Sequence, residues 1–138
     1  MYEVKFKDTA GRGAHYVVDG ATDVVDAVAA VMATGDLKSV GDVHSCHLSR
    51  FREAYPLGDG GEPRTYYKVV AYTYETGRDG KERKAKSLML VEAADHSRAC
   101  ARTYEILRQG YDMETFSVGE TRIDAVIRWN GTVPQIGQ

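Results

Sequence analysis

The sequence predicts an α+β protein made by tandem duplication of a β-β-α-β unit, with antiparallel sheet or sheets carrying the helices on one face. The first observation behind this is an internal repeat, which is sought before any motif. Asp23, Ala27, Ser45, Arg50 and Phe51 are matched 72 positions later by Asp95, Ala99, Ser117, Arg122 and Ile123, in the same order and without a gap. The second is upstream, where Tyr2-Glu3-Val4 and Val17-Val18-Asp19-Gly20-Ala21 correspond to Tyr67-Lys68-Val69 and Leu90-Val91-Glu92-Ala93-Ala94 across a longer loop. The third is the order of periodicities within each copy: two period-two runs, a helical stripe, then a further strand-like run. The repeat divides the chain into a first unit at 1–55, a linker at 56–65, a second unit at 66–129 and a tail at 130–138.

Each element has a local reason. Tyr2, Val4 and Phe6 alternate with Glu3, Lys5 and Lys7, so one face of this strand is buried and Phe6 points inward. The glycine-bearing stretch Asp8 to Gly13 turns the chain into a second strand, His15 to Gly20. Thr22 or Asp23 caps a helix whose apolar stripe is Val24, Ala27, Val28, Val31 and Met32. Its valines lower helix propensity, so packing must hold it. Gly35 is a left-handed stop, and Val43 to Ala54 supplies the third strand.

The second copy repeats the course. Tyr66 to Glu75 and Ala85 to Ala93 are strands joined by the turn Gly77-Arg78-Asp79-Gly80. Asp95 caps a helix with the stripe Ala99, Cys100, Thr103, Ile106 and Leu107, Gly110 stops it, and Thr115 to Arg128 closes the unit as a strand. Pro56 to Pro63 has linker composition, and Trp129 pins a tail that begins at Asn130. The copies either cover one another's open sheet faces or align as one sheet of about six strands.

Composition bounds the function. A chain of 138 residues, 43% hydrophobic and 28% charged, is ordinary for a globular protein, and a formal net charge of −2 argues against a uniformly basic nucleic-acid binder. One copy alone would bury too little surface to be stable, so the two are expected to share a core. No charged-then-apolar leader and no apolar run near about 18 residues is present, so a cytoplasmic location without membrane contact is expected. The two cysteines, Cys46 and Cys100, have no Cys-x-x-Cys spacing and are expected as buried, reduced thiols.

Three segments carry a resemblance. Tyr2-x-Val4, the run Val91-Glu92-Ala93-Ala94-Asp95-His96-Ser97-Arg98-Ala99 into the second helix, and Ser117-Val118-Gly119-Glu120-Thr121-Arg122-Ile123 in the last strand resemble a small uncharacterised family of bacterial and phage or mobile-element proteins. The likeness lies mainly in the second copy. The first departs by one residue before its helix and has His44, Cys46 and His47 where the second has Phe116, Val118 and Gly119. The resemblance implies a small accessory protein, a domain of unknown function, with no functional residues to carry over.

The strongest local signal is a basic hairpin. Arg78, Lys81, Arg83, Lys84 and Lys86 place five positive charges within nine residues, opposed by Asp79 and Glu82. Behind them Tyr66, Lys68, Val70, Tyr72 and Tyr74 share one strand face, with Tyr67, Val69 and Ala71 turned to the core. Cations on a ribbon suit phosphates, and aromatics on an open sheet stack unpaired bases. The candidate nucleic-acid-binding residues are therefore Lys68, Tyr72, Tyr74, Arg78, Lys81, Arg83, Lys84 and Lys86. The structural alternative is a solvated turn with tyrosines packed against a neighbouring copy.

Other chemistry is weaker. On a strand His44 and Cys46 share one face and His47 takes the other, so a zinc site would need His96 and Cys100, spaced i and i+4 on the second helix, as well. Cys46 with His44 or His15, oriented by Asp19 or Asp42, can be drawn as a nucleophile and base, as can be done in any small protein. No Gly-x-Ser-x-Gly turn or dinucleotide fingerprint occurs, and Gly58-Asp59-Gly60-Gly61 lacks the following helix of a phosphate loop. The expectation is a non-enzymatic binding protein with no catalytic residues, no metal and no cofactor. Its expected partner is single-stranded nucleic acid, or else a protein, such as a host or defence component or a second copy in a homodimer.

Overall fold

A computed structural model describes residues 1–57, 65–109 and 113–129. It is an α+β fold of eight strands and two α-helices within those residues, in the order β1 (Tyr2–Lys7), β2 (Gly13–Asp19), α1 (Val24–Ala33), β3 (Val43–Leu48), β4 (Glu53–Tyr55), β5 (Thr65–Thr76), β6 (Glu82–Ala93), α2 (His96–Arg108), β7 (Met113–Glu120) and β8 (Ala125–Arg128). The strands form two four-stranded sheets, ordered β3-β1-β2-β8 and β4-β6-β5-β7. Two compact units result, one from Met1–Arg50 with Arg122–Gln138, the other from Phe51–Thr121. No helix among the described residues is long and apolar enough to cross a membrane.

In the first unit β1 pairs with β2 antiparallel, from Tyr2 opposite Val18 to Lys7 opposite Gly13. The turn between them is organised by Asp8, whose Oδ1 accepts from the amides of Ala10 and Arg12 at 2.9 and 2.8 Å. Asp23 is the cap of α1 and accepts from the Asp26 amide at 2.8 Å, so the second of the two expected capping residues fills the role. Gly35, at φ +84°, makes the left-handed stop. Val4, Phe6 and Val18 pack against Ala27, Ala30 and Val31 of the helix, and Leu37 closes the cluster. Phe6 and Tyr16 meet edge to face at 4.9 Å. The helix is therefore held by its small and branched face, while Val24 stays largely exposed.

The second unit follows the same plan. β5 and β6 pair antiparallel from Thr65 opposite Ala93 to Thr76 opposite Glu82, and β7 lies on the other side of β5. Asp95 caps α2 by accepting from the Arg98 amide at 2.8 Å. Tyr67, Val69 and Ala71 face that helix with Met89 and Val91, as the alternation predicted. Ala99, Thr103 and Leu107 form the buried stripe of the helix, and Thr103 returns its hydroxyl to the Ala99 carbonyl at 2.7 Å.

Two expectations are corrected. The long third strands are each broken: Val43 to Ala54 divides into β3 and β4, and Thr115 to Arg128 divides into β7 and β8, with the fragments in different sheets. The cause is a change of ladder. The Ser49 amide donates to the Met1 carbonyl at 2.8 Å, whereas the Arg52 amide donates to the Leu88 carbonyl at 2.8 Å. At the second break the Thr121 amide donates to Tyr66 and the Asp124 amide to His15. The sheets are also mixed rather than wholly antiparallel. β8 pairs parallel with β2, and β4 pairs parallel with β6, because each arrives from a distant part of the chain and not through a hairpin. The expected linker falls mainly on residues 58–64, outside the described residues, as do the stop at Gly110 and the tail 130–138. Trp129 itself packs against the first unit's core, its amide donating to the Asp19 carbonyl at 2.7 Å.

Candidate nucleic-acid interface

The β5–β6 hairpin outruns the rest of its sheet. Ladder pairing with β7 ends at Thr73, and β4 reaches only Met89 to Val91 on β6. Beyond Thr73 the two strands pair, among the described residues, only with each other, from Tyr74 opposite Lys84 to Thr76 opposite Glu82. The arm closes through a short loop in which Gly80 has φ +75°, its amide donates to the Gly77 carbonyl at 3.0 Å, and the Gly77 amide donates to the Lys81 carbonyl at 2.9 Å.

Register sorts the candidate residues. Paired residues in an antiparallel ladder share a face, so Tyr72 opposite Lys86 and Tyr74 opposite Lys84 form one patch. Lys68 lies on the same face, which is the one turned away from α2. Lys68, Lys84 and Lys86 are exposed, and Tyr74 is 41% exposed. The Lys84 ammonium sits 4.7 Å from the centre of the Tyr72 ring, a cation–π contact that fixes the ring beside the charge. Tyr66, predicted to share this open face, is instead buried at 7% exposure.

Arg83 is opposite Glu75 in the ladder and so belongs to the other face of the arm. Its guanidinium pairs with Asp79 at 2.8 Å. Lys81 and Arg78 stand in the loop, where the Lys81 amide donates to Asp79 Oδ1 at 3.1 Å. Of the eight candidates, five therefore converge on one face, while Arg78, Lys81 and Arg83 sit at the tip or behind it.

The first unit holds a cluster that sequence reasoning missed. Glu3, only 8% exposed, receives His15 Nε2 at 3.0 Å on one oxygen and His47 Nε2 at 3.5 Å on the other. Burial drives the His15 pKa below its ordinary value, and the Glu3 carboxylate opposes that by favouring the charged ring. The signal available was cross-strand pairing, since Glu3 faces Val17 on one side and His47 on the other. Arg102 was also missed. Its guanidinium donates to the carbonyls of Tyr55 and Glu92 at 2.6 and 2.8 Å, and so ties α2 to the ends of β4 and β6.

The zinc and nucleophile candidates divide between the two units, with Cys100 Sγ 3.8 Å from His96 Nδ1 in the second. His44 and Cys46 belong to the first unit, His96 and Cys100 to the second. Cys46 packs under α1 with its thiol toward the Val24 carbonyl, and burial pushes its pKa up, the reverse of what an activated nucleophile needs. His96 is occupied by the Val118 carbonyl at 2.9 Å and by the edge of Tyr67.

Neither a curated protein nor a solved structure matches the chain. A family model for a domain of unknown function, DUF4494, matches residues 10–129, which takes in every element but the first strand, and the chain belongs to that family.

Proposed function

We propose that the protein binds single-stranded nucleic acid on the lysine- and tyrosine-bearing face of the β5–β6 arm. The observation that carries this is the register, which gathers Lys68, Tyr72, Tyr74, Lys84 and Lys86 on one face of the β5–β6 hairpin, with Tyr74 and Lys84 beyond the end of its pairing with β7. Tyr72 and Tyr74 stack bases, and the three lysines hold phosphates on the same strand. Stacking is tolerant of sequence, so the recognition is of a strand rather than of a site. The chain's overall net charge of −2 is no obstacle, because the field that matters is local to the arm. The test is fluorescence anisotropy of labelled single-stranded DNA and RNA at about 50 and about 200 mM salt, where phosphate contacts produce a steep loss of affinity. Absence of binding at the lower salt refutes the proposal and directs the search to protein partners of the same face.

We also propose that the halves descend from one duplicated β-β-α-β unit, each followed by a short strand given to the other half's sheet. Matched registers support it. Tyr2 opposite Val18 and Leu48 corresponds to Tyr67 opposite Val91 and Glu120. Val18 opposite Ile127 corresponds to Val91 opposite Tyr55.

A further inference from the structure

We infer that the first unit carries a binding site for a small organic anion, separate from the ribbon. A cavity of about 440 Å³ opens at the β1–β2 hairpin end, lined by Lys5, Phe6, His15, His44, Arg122 and Asp124 among others. That volume suits a small-molecule ligand. Two of its walls are built by backbone devices. On β3, Val43 pairs with Phe6 and Ser45 with Lys5, so His44 is the extra residue of a β-bulge, the device that re-aims a side chain out of the pleat. On the opposite wall Asp124 is locked to His15 twice: its carboxylate accepts from the His15 amide at 2.8 Å and its own amide donates to the His15 carbonyl at 2.8 Å. This lock brings Arg122, two residues earlier, to the rim.

The charge favours an anion. Lys5 and Arg122 are basic side chains of the lining, and His44 adds a ring donor. Asp124 is the single carboxylate of the lining, already engaged by the His15 amide. No hydrogen bond or ion pair occupies the side chains of Lys5, His44 or Arg122 within the described residues. Phe6 is wholly buried in the helix-side core, so Ala14, half-buried, is the apolar residue of the lining that a ligand can meet, and the ligand joins a phosphate or carboxylate to a small apolar body.

The probe is phenyl phosphate, titrated into the full chain while the histidine ring resonances are followed by NMR. Saturable shifts at His15 and His44, with His96 of the second unit unmoved, are expected. Lys5→Gln with Arg122→Gln should weaken binding at least tenfold while leaving the spectrum dispersed; if that pair unfolds the chain, Arg122→Gln alone carries the comparison. Benzoate in place of phenyl phosphate decides between carboxylate and phosphate, and either one binding saturably supports the site. Shifts that rise linearly with concentration for both probes, equal shifts at His96, or unchanged affinity in the variants would overturn it. Inorganic phosphate binding as tightly as phenyl phosphate would overturn the apolar half of the assignment.

Discussion

Replacing Lys84 and Lys86 with glutamine separates the face of the arm from its mere charge. Three lysines, Lys68, Lys84 and Lys86, lie on the tyrosine-bearing face. Each phosphate contact on a single strand contributes about −0.7 to the slope of log affinity against log salt, so three give about −2. Raising salt from about 50 to about 200 mM then weakens the wild type roughly twentyfold. With only Lys68 left, the slope falls to about −0.7 and the loss to roughly threefold. The control is Lys81→Gln with Arg83→Gln, which removes the same formal charge from the loop and from the side where Arg83 is paired with Asp79. Its slope should stay near that of the wild type. Anisotropy titrations of a labelled oligonucleotide at four salt concentrations measure all three proteins. Equal flattening by the two double variants would show that the arm acts through bulk charge, and the argument from register would fail.

Four further outcomes follow from the geometry. Tyr74→Leu should cost about 1–3 kcal/mol of strand affinity at every salt concentration, because a stacking contact carries no counterions; a change in slope instead would deny it a stacking role. Gly20→Ala should lower the melting temperature more than Gly80→Ala. Both glycines have positive φ, but a Cβ at Gly20 would lie 2.8 Å from the Trp129 carbonyl oxygen whereas at Gly80 it meets open space, and equal losses would mean that the close approach is relieved cheaply. Stability should fall as pH drops below 6.5, the ordinary value for His15. The folded ring resists protonation, so the unfolded chain takes up a proton that the native state does not, and stability is lost as pH falls through the folded pKa. Glu3→Gln removes the charge that partly counters burial and should move the His15 titration lower still, as followed by NMR; an upward move would reverse the assigned balance.

Local patterning made much of the fold legible. Alternation placed Val4 and Phe6 inward, Asp23 and Asp95 announced both helices, and Gly35 marked a stop. What escaped was non-local. Nothing in Val43 to Ala54 says that pairing must pass from Met1 to Leu88 between Ser49 and Arg52, because that choice belongs to the strands being joined. The same limit applied to the sites. Counting charge in the hairpin grouped Arg83 with Lys84, although adjacent residues on a strand face opposite ways and Arg83 turns to Asp79. His44 was read by strand parity, but a bulge suspends parity at that residue, and the bulge is fixed by the register with β1.

Likeness and difference between the halves carry separate meanings. Where the first half pairs Val4 with Tyr16 and Cys46, the second pairs Val69 with Met89 and Val118, and these positions serve the two cores. The differences concentrate elsewhere. β1 and β2 have 6 and 7 residues and β5 and β6 have 12 each, and the added length carries Tyr74 and Lys84. Conversely, His44 stands in the β3 bulge of the first half, while Phe116, its counterpart, pairs in register with Ala71. If selection had acted on stability alone, two halves with one ladder pattern would have no cause to diverge at these places. A longer arm adds no core, and although β7 also shifts register against β5, the extra residue there is Glu114, whereas in β3 it is His44. The two proposed sites lie at these departures, the strand-binding face on the longer β5–β6 hairpin and the anion site beside the β3 bulge.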